Sequence, residues 1–490
     1  MKNIKPSNVY ERKEVIFSLF WKLMERGGTQ GIQFIVQVIL ARVLLPEDYG
    51  IIALVVIFTS IAGVFVQSGL NTALIQKKDV DEADFSSVFY LSLFITCLIY
   101  IVLFLAAPFI AVFYGEPQIT SVFRVLSIAL FFDAFNSIQN ALVARNLQFK
   151  KLFFSSTGAI LISGTVGIYM AYAGCGVWAL VGQQITNQLM VTLILWFTIN
   201  WRPRLLFSGE RVKALFSFGW KLLVSALIDT VYRDLRSLII GKMYNPAMLG
   251  FYNRGQQFPQ LLITNINGSI QSVMLPILSS QQDNKHRVKD MMRRAIVTTS
   301  FFIFPMMVGL AITAEPIIKL LLTDKWLPCV PFLQIFCASY ALWPIHTANL
   351  QAINALGRSD IFLKLEIIKK IIGLSILAVT VFYGVYAIAL GQVFSGIIST
   401  FINAYPNKEL LHYSYKEQWI DIMPSLLLSL VMGAVVYIFK WLELSAPITL
   451  IIQVCVGIIV YMVMAWLFKL QCFRYLLLTG KDIFISRKCK

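Results

Sequence analysis

The chain has 490 residues, of which 58% are hydrophobic and only 14% charged, and its mean hydropathy is +0.73. A soluble domain carries roughly 45–50% apolar and 25% charged residues, so a large soluble enzyme, a disordered chain and a collagen-like rod are excluded. The net charge of +17 would point to nucleic acid in a soluble protein, but in a membrane protein the question is where the charges sit.

The basic N-terminal stretch MKNIKPSNVYERKE has no small-residue cleavage site, which predicts a retained cytoplasmic segment over 1–16 rather than a signal peptide. Apolar spans then follow near 17–41, 50–75, 85–112, 120–143, 153–173 and 177–199, an N-lobe of six helices over 17–200. A cytoplasmic linker is predicted over 201–213. Spans near 214–240, 248–275, 295–314, 328–356, 365–383 and 386–404 make a C-lobe over 214–404. Two further spans, 419–439 and 447–468, fall in 405–468, and a basic tail closes the chain over 469–490. Fourteen spans at about 20 residues each need about 280 residues, which the apolar content supplies. The predicted fold is all-α and polytopic: two parallel six-helix lobes plus two C-terminal helices.

With the N-terminus inside, the alternating loops carry thirty Lys/Arg on the cytoplasmic side and five on the other. This bias predicts both termini in the cytoplasm and explains the charge without nucleic acid. The seven cysteines are scattered and never form CxxC, and there are three histidines, so no disulfide frame or metal site is expected.

The first twelve spans repeat. Phe17-Ser18-x-x-Trp21-Lys22-Leu23 returns as Phe216-Ser217-x-x-Trp220-Lys221-Leu222, and Pro46-x-x-x-Gly50 as Pro246-x-x-x-Gly250. Arg145-x-x-x-Phe149-x-Lys151-Leu152 returns as Arg358-x-x-x-Phe362-x-Lys364-Leu365, and Gly176-Val177-Trp178-Ala179-Leu180 as Gly384-Val385-Tyr386-Ala387-Ile388. Four echoes in one order, with offsets drifting only from 199 to 213, indicate duplication. Six spans per unit is an even number, so the repeat is parallel, an arrangement found in transporters with a midplane site between halves.

Charge at mid-bilayer costs roughly 2.5–3.5 kcal/mol per residue on insertion scales, so intramembrane charges must face protein or water. In span 1, Lys22, Arg26, Gln30, Gln33 and Gln37 share one helix face. Lys221, Ser225, Asp229, Arg233 and Arg236 do likewise in span 7. Asn253, Gln257, Gln260, Thr264, Asn267 and Gln271 form a seam along span 8, with Arg254 beside its start. These faces predict a polar cleft, with Arg26, Arg233, Arg236, Arg254, Gln257, Gln260 and Asn267 as lining candidates. The plainer reading is hydrogen bonding between helices, snorkelling for Lys22, Glu25 and Lys221, and a local Arg233–Asp229 pair.

Asp133 and Asn136 in span 4 correspond to His346 and Asn349 in span 10 at the 213-residue offset. An acid and an imidazole at matched midplane positions are candidates, with Asp229, for proton or sodium coupling; each is equally readable as a satisfied buried polar group. Pro259, Pro305 and Pro344 are kink candidates. Asp79-Val80-Asp81 reads D-x-D, a glycosyltransferase pattern, but sits in a charged loop with no nucleotide-binding domain around it. The Asn267-Gly268-Ser269 sequon is intramembrane. No phosphate-binding loop is present.

The run Ala41-Arg42-Val43-Leu44-Leu45-Pro46-Glu47-Asp48-Tyr49-Gly50, followed by Gly69-Leu70-Asn71-Thr72-Ala73-Leu74-Ile75-Gln76, resembles the start of the bacterial polysaccharide transporters. So do Gly250-Phe251-Tyr252-Asn253-Arg254, Asn354-Ala355-Leu356-Gly357-Arg358 and Gly176-Val177-Trp178-Ala179-Leu180. These are the Wzx-type O-antigen, capsule and exopolysaccharide flippases of the MOP superfamily, related to lipid II flippases and MATE exporters. The resemblance implies a V-shaped pair of lobes in the bacterial inner membrane, moving undecaprenyl-pyrophosphate-linked oligosaccharide outward by alternating access. It implies no cofactor, membrane lipids as surroundings, and polysaccharide polymerase machinery as partner. The intramembrane arginines suit a pyrophosphate head. Two rivals share parts of the pattern: a MATE-type drug–cation antiporter, whose cargo four arginines would repel, and an integral-membrane glycan polymerase or ligase, which needs a longer outer loop than Glu315–Leu327.

Overall fold

The computed structural model describes residues 12–67, 70–77, 80–442, 445–470 and 472–473, and among them every regular element is helical. The helices run α1 (Arg12–Val43), α2 (Pro46–Gln67), α3 (Leu70–Gln76), α4 (Glu82–Tyr114), α5 (Gln118–Leu126), α6 (Ala129–Arg145), α7 (Phe149–Tyr172), α8 (Val177–Thr198), α9 (Gly209–Met243) and α10 (Pro246–Ser279). They continue as α11 (Lys285–Ile312), α12 (Ala314–Leu321), a 3-10 turn (Asp324–Cys329), α13 (Val330–Ala341), α14 (Trp343–Ala355), α15 (Ser359–Thr380), α16 (Val385–Leu411), α17 (Tyr415–Ile438) and α18 (Ala446–Leu467). Nine helical stretches among the described residues are long and apolar enough to cross a membrane, or ten if α9, bent by 54° between Ser217 and Gly219, counts as one. The chain is therefore a multi-pass membrane protein. The long helices α1, α8, α10 and α15 fall short of that apolarity because they carry polar or charged side chains along their length.

Local chemistry sets the helix ends. The Asp81 side chain accepts from Asp84 N at 3.0 Å, and the Asp84 side chain accepts from Asp81 N at 3.2 Å. This reciprocal cap satisfies two amides that the first turn of α4 leaves open. Asp81 also pairs with Arg211, and the Arg211 guanidinium holds its carboxyl below the usual range. In the D-x-D run Asp81 is thus a helix cap, and Asp79 lies outside the described residues. Ser414 and Glu417 repeat the device at α17. Gly174 and Gly176 take φ of +77° and +55° in the tight turn between α7 and α8, where a side chain would be strained. Pro344 lies in the first turn of α14, just past the break at Leu342, a position where the missing amide costs nothing. Pro259 and Pro305 lie inside α10 and α11.

The contacts divide the chain into two compact units, Met1–Gly250 and Phe251–Lys490. In the first, α7 packs on α1 and α8, α6 on α2, α4 and α8, and α9 on α2, α3 and α4. Val36, Leu40, Ile160, Ala171 and Leu180 form the core where α1, α7 and α8 meet. In the second, α11 packs on α17 and α13, and α16 on α13, α14 and α15. Met292, Ile296, Phe304, Ile345, Ala348 and Ile422 fill its centre. Equivalent pairs recur: α7–α8 and α6–α8 in the first unit match α15–α16 and α14–α16 in the second.

One contact in the first unit is reciprocal. A Cβ added at Gly50 would overlap the Pro246 carbonyl, and one at Gly250 would overlap the Pro46 carbonyl. The two Pro-x-x-x-Gly motifs thus cross at backbone distance, α2 against the first turn of α10.

Candidate functional site

The polar faces expected on α1, α9 and α10 are present, with different surroundings. On α1, Gln30, Gln33 and Gln37 are half-buried; the Arg26 side chain lies outside those described. On α9, Arg233 sits near the middle of the Gly219–Met243 stretch, about 15 Å from its end at ~1.5 Å per residue. Its side chain is 66% exposed and pairs with the neighbouring Asp234 through Nε at 3.2 Å and Nη2 at 3.5 Å. Asp229 is exposed one turn away. The Arg236 guanidinium lies 5.7 Å from the Tyr232 ring centroid.

In the second unit, Arg254 is packed rather than open, with only 5% of its surface exposed. Its Nη1 donates to Gln257 Oε1 at 2.6 Å, and its guanidinium lies 5.3 Å from the centre of the buried Trp326 ring. The tightness has a cause: a Cβ at Gly255 would come within 2.6 Å of Phe332 Cβ and 2.9 Å of Leu333 N, so α10 runs directly against α13 here. Gln260 is exposed and Asn267 buried.

Asp133 and Asn136 project from α6 onto α8 as steps of a ladder. Gln188 Nε2 donates to Asp133 Oδ1 at 3.1 Å, and Asn136 Nδ2 donates to Thr192 Oγ1 at 2.8 Å. One turn on, the Gln139 amide oxygen, oriented to satisfy its neighbours, accepts from Trp196 Nε1 at 3.0 Å. Asn136 Oδ1 is buried and accepts nothing among the described residues.

The second unit has the corresponding seam between α14 and α16. His346 Nε2 lies 3.3 Å from Thr400 Oγ1, and its Nδ1 lies 3.1 Å from Asn403 Nδ2. Because Thr400 Oγ1 itself donates to Gly396 O, it accepts from the ring, and both ring nitrogens face polar partners. Asn349 Oδ1 accepts from Asn407 Nδ2 at 2.7 Å, and Asn349 Nδ2 donates to Gln418 Oε1 at 2.8 Å. Thr192 and Thr400 are related by the 208-residue offset of the repeat. The sequence singled out Asp133 and His346 but not Gln188, Thr192, Thr400 or Asn403. Their signal, polar residues at steps of three and four on α8 and α16, was available in the sequence.

A profile of the family described as "Polysaccharide biosynthesis protein" matches residues 39–331. The chain belongs to that family. Among curated relatives, the succinoglycan biosynthesis transport protein ExoT of Rhizobium meliloti is 23% identical, the alignment covering 73% of each chain. The lipopolysaccharide biosynthesis protein WzxC of Escherichia coli is 21% identical, covering 86% of this chain and 88% of that one. Among solved structures, the lipid II flippase MurJ in an inward closed conformation superposes with a TM-score of 0.75 at 17% identity, over 94% of this chain and 100% of that one. An inward-facing multidrug MATE transporter of the MOP superfamily gives 0.59 at 15% identity, over 78% and 95%. The fold of this family member is therefore the MurJ and MATE fold.

Proposed function

We propose that this protein is a flippase that carries undecaprenyl-pyrophosphate-linked oligosaccharide from the inner to the outer leaflet of the bacterial inner membrane by alternating access. The observation that carries the reading is Arg233, a guanidinium 66% exposed in the middle of a long membrane helix. Lipid around that charge is too costly, so the α9 face must line water, and a guanidinium in a water-filled cleft is a phosphate ligand. Asp229 and Arg236 continue that face, and within the same unit Gln30, Gln33 and Gln37 supply groups for sugar hydroxyls. Arg254 acts one step back, fixing the orientation of Gln257. The roles for which ExoT and MurJ are named, transport in succinoglycan biosynthesis and lipid II flipping, support cargo of this class. The work is translocation, with no bond made or broken by the chain. Depletion in a host making the polymer should accumulate lipid-linked oligosaccharide in the inner leaflet; unchanged leaflet distribution would refute the reading.

On the same reading the chain crosses the membrane fourteen times as two parallel lobes plus α17 and α18, both termini cytoplasmic. Impermeant thiol reagents should then label cysteines placed at Gly115 and Ser445 from outside and those at Lys285 and Lys408 only after permeabilisation. Labelling at position 285 in intact cells would reverse the orientation.

Coupling to protons or sodium is assigned to the α6–α8 ladder, with His346 as its counterpart. Asp133 is the ladder's one carboxylate, and the open Asn136 Oδ1 one turn away adds a neutral oxygen ligand. Asp133→Asn should reduce flux more than Asn136→Ala and flatten its dependence on pH or sodium. Flux unchanged across both variables would return Asp133 to a packing role.

A further inference from the structure

The segment between α8 and α9 is not an idle connection. Its flanks are fixed: Arg204 N donates to Ser86 Oγ at 3.1 Å, Ser208 N donates to Ser87 Oγ at 2.9 Å, and Arg204 pairs with Glu82 at 2.8 Å. Between these anchors Leu205, Leu206 and Phe207 are 94%, 45% and 62% exposed. Three consecutive large apolar side chains held outward by a pinned backbone are not a consequence of slack chain, which would fold them onto the nearest surface.

Cations surround them. Arg202 donates to the Ile199 and Trp201 carbonyls at 2.6 and 2.7 Å and lies 5.1 Å from the Trp196 ring centre. Lys151 Nζ donates to Thr198 O at 3.0 Å, and Lys213 is exposed on the first turns of α9. The first stretch of α9, Gly209–Ser217, then bends 54° from the rest and leaves Phe216 44% exposed. On the fourteen-crossing topology proposed above, on which this inference rests, α8 and the remainder of α9 are consecutive crossings, so everything between them lies at one membrane surface.

We propose that residues 199–217 form an interfacial elbow seated on anionic phospholipid of the cytoplasmic leaflet, whatever cargo the protein carries. Leu205, Leu206 and Phe207 enter the boundary between headgroups and acyl chains, as apolar residues of in-plane segments do. Arg202, Lys151 and Lys213 meet the phosphates, where basic groups near an anionic surface gain attraction. The rim holds acids as well, but Glu82 and Asp81 are paired with Arg204 and Arg211, so the bases Arg202, Lys151 and Lys213 outnumber Glu210 and the net positive rim suits an anionic surface.

The test is a nitroxide at Phe207→Cys in full-length protein whose native cysteines are replaced, reconstituted in nanodiscs so that both faces meet solvent. Accessibility to oxygen, enriched in acyl chains, is compared with accessibility to a neutral aqueous nickel chelate, and Gln282→Cys serves as the solvent reference. With phosphatidylglycerol present, position 207 should be several-fold more accessible to oxygen relative to nickel than position 282. That ratio should fall in discs of phosphatidylcholine alone. A ratio at 207 equal to that at 282 would overturn insertion, and an equal ratio in both lipids would overturn recognition of anionic lipid.

Discussion

Arg233→Ala is expected to abolish translocation while the protein still inserts at normal levels. The side chain is exposed and its partner Asp234 adjoins it in sequence, so removing it opens no cavity and strands no distant charge. What is lost, on the proposed function, is a cation facing the cleft. A charge-assisted hydrogen bond contributes roughly 1.5–3 kcal/mol, so one lost contact should weaken head-group binding roughly 10- to 150-fold at about 1.4 kcal/mol per decade. Arg233→Lys should recover only part of this, because an ammonium cannot offer two parallel donors to one phosphate. Arg254→Ala makes the informative contrast. It removes a buried group stacked by Trp326 and bonded to Gln257, so its loss should appear first as lower thermal stability. Full complementation of a flippase-deficient strain by Arg233→Ala would end the cationic-cleft reading.

Gly50→Ala is expected to damage the fold more than any other single methyl group added to α2. At Gly50 the new carbon meets the Pro246 carbonyl, and at Gly250 the Pro46 carbonyl. Backbone cannot step aside as a flexible side chain can, so the helices must separate along their contact. Overpacking typically costs roughly 1–3 kcal/mol, and more where nothing can rotate away. Gly63→Ala, on the same helix with open space around it, should be neutral or slightly stabilising, since Ala exceeds Gly in a helix interior by roughly 0.5–1 kcal/mol. The melting temperature in detergent should therefore fall for Gly50→Ala and Gly250→Ala and hold for Gly63→Ala. The double variant should fall by less than the sum, because both methyls break one crossing. Equal melting of all three single variants would show that the crossing tolerates a side chain.

The helices were legible because bilayer-length apolar runs leave little choice of element, and the polar faces because their spacing is helical. Periodicity identifies a face but not what it looks at. Arg254 and Arg233 read alike in the sequence, yet Arg254 is buried by Trp326, a residue far along the chain that no local pattern links to it. Asp133 and His346 were found as a matched pair, but their partners come from α8 and α16, more than fifty residues later. Arg233 also pairs with the adjacent Asp234, a contact between sequence neighbours that helical spacing does not suggest. The Pro-x-x-x-Gly echo was read as evidence of duplication, and nothing in it disclosed that the two copies touch.

That touch has a symmetry. Gly50 meets Pro246 and Gly250 meets Pro46: position i contacts j′ while j contacts i′, the pattern of an isologous interface between identical subunits. At an offset of 200 residues the four positions reduce to two, one proline and one glycine. A side chain at either glycine meets the backbone of the other motif, so the crossing admits only the smallest residue on both sides. The matched positions Asp133 and His346 are free to differ, whereas steric exclusion ties Gly50 to Gly250.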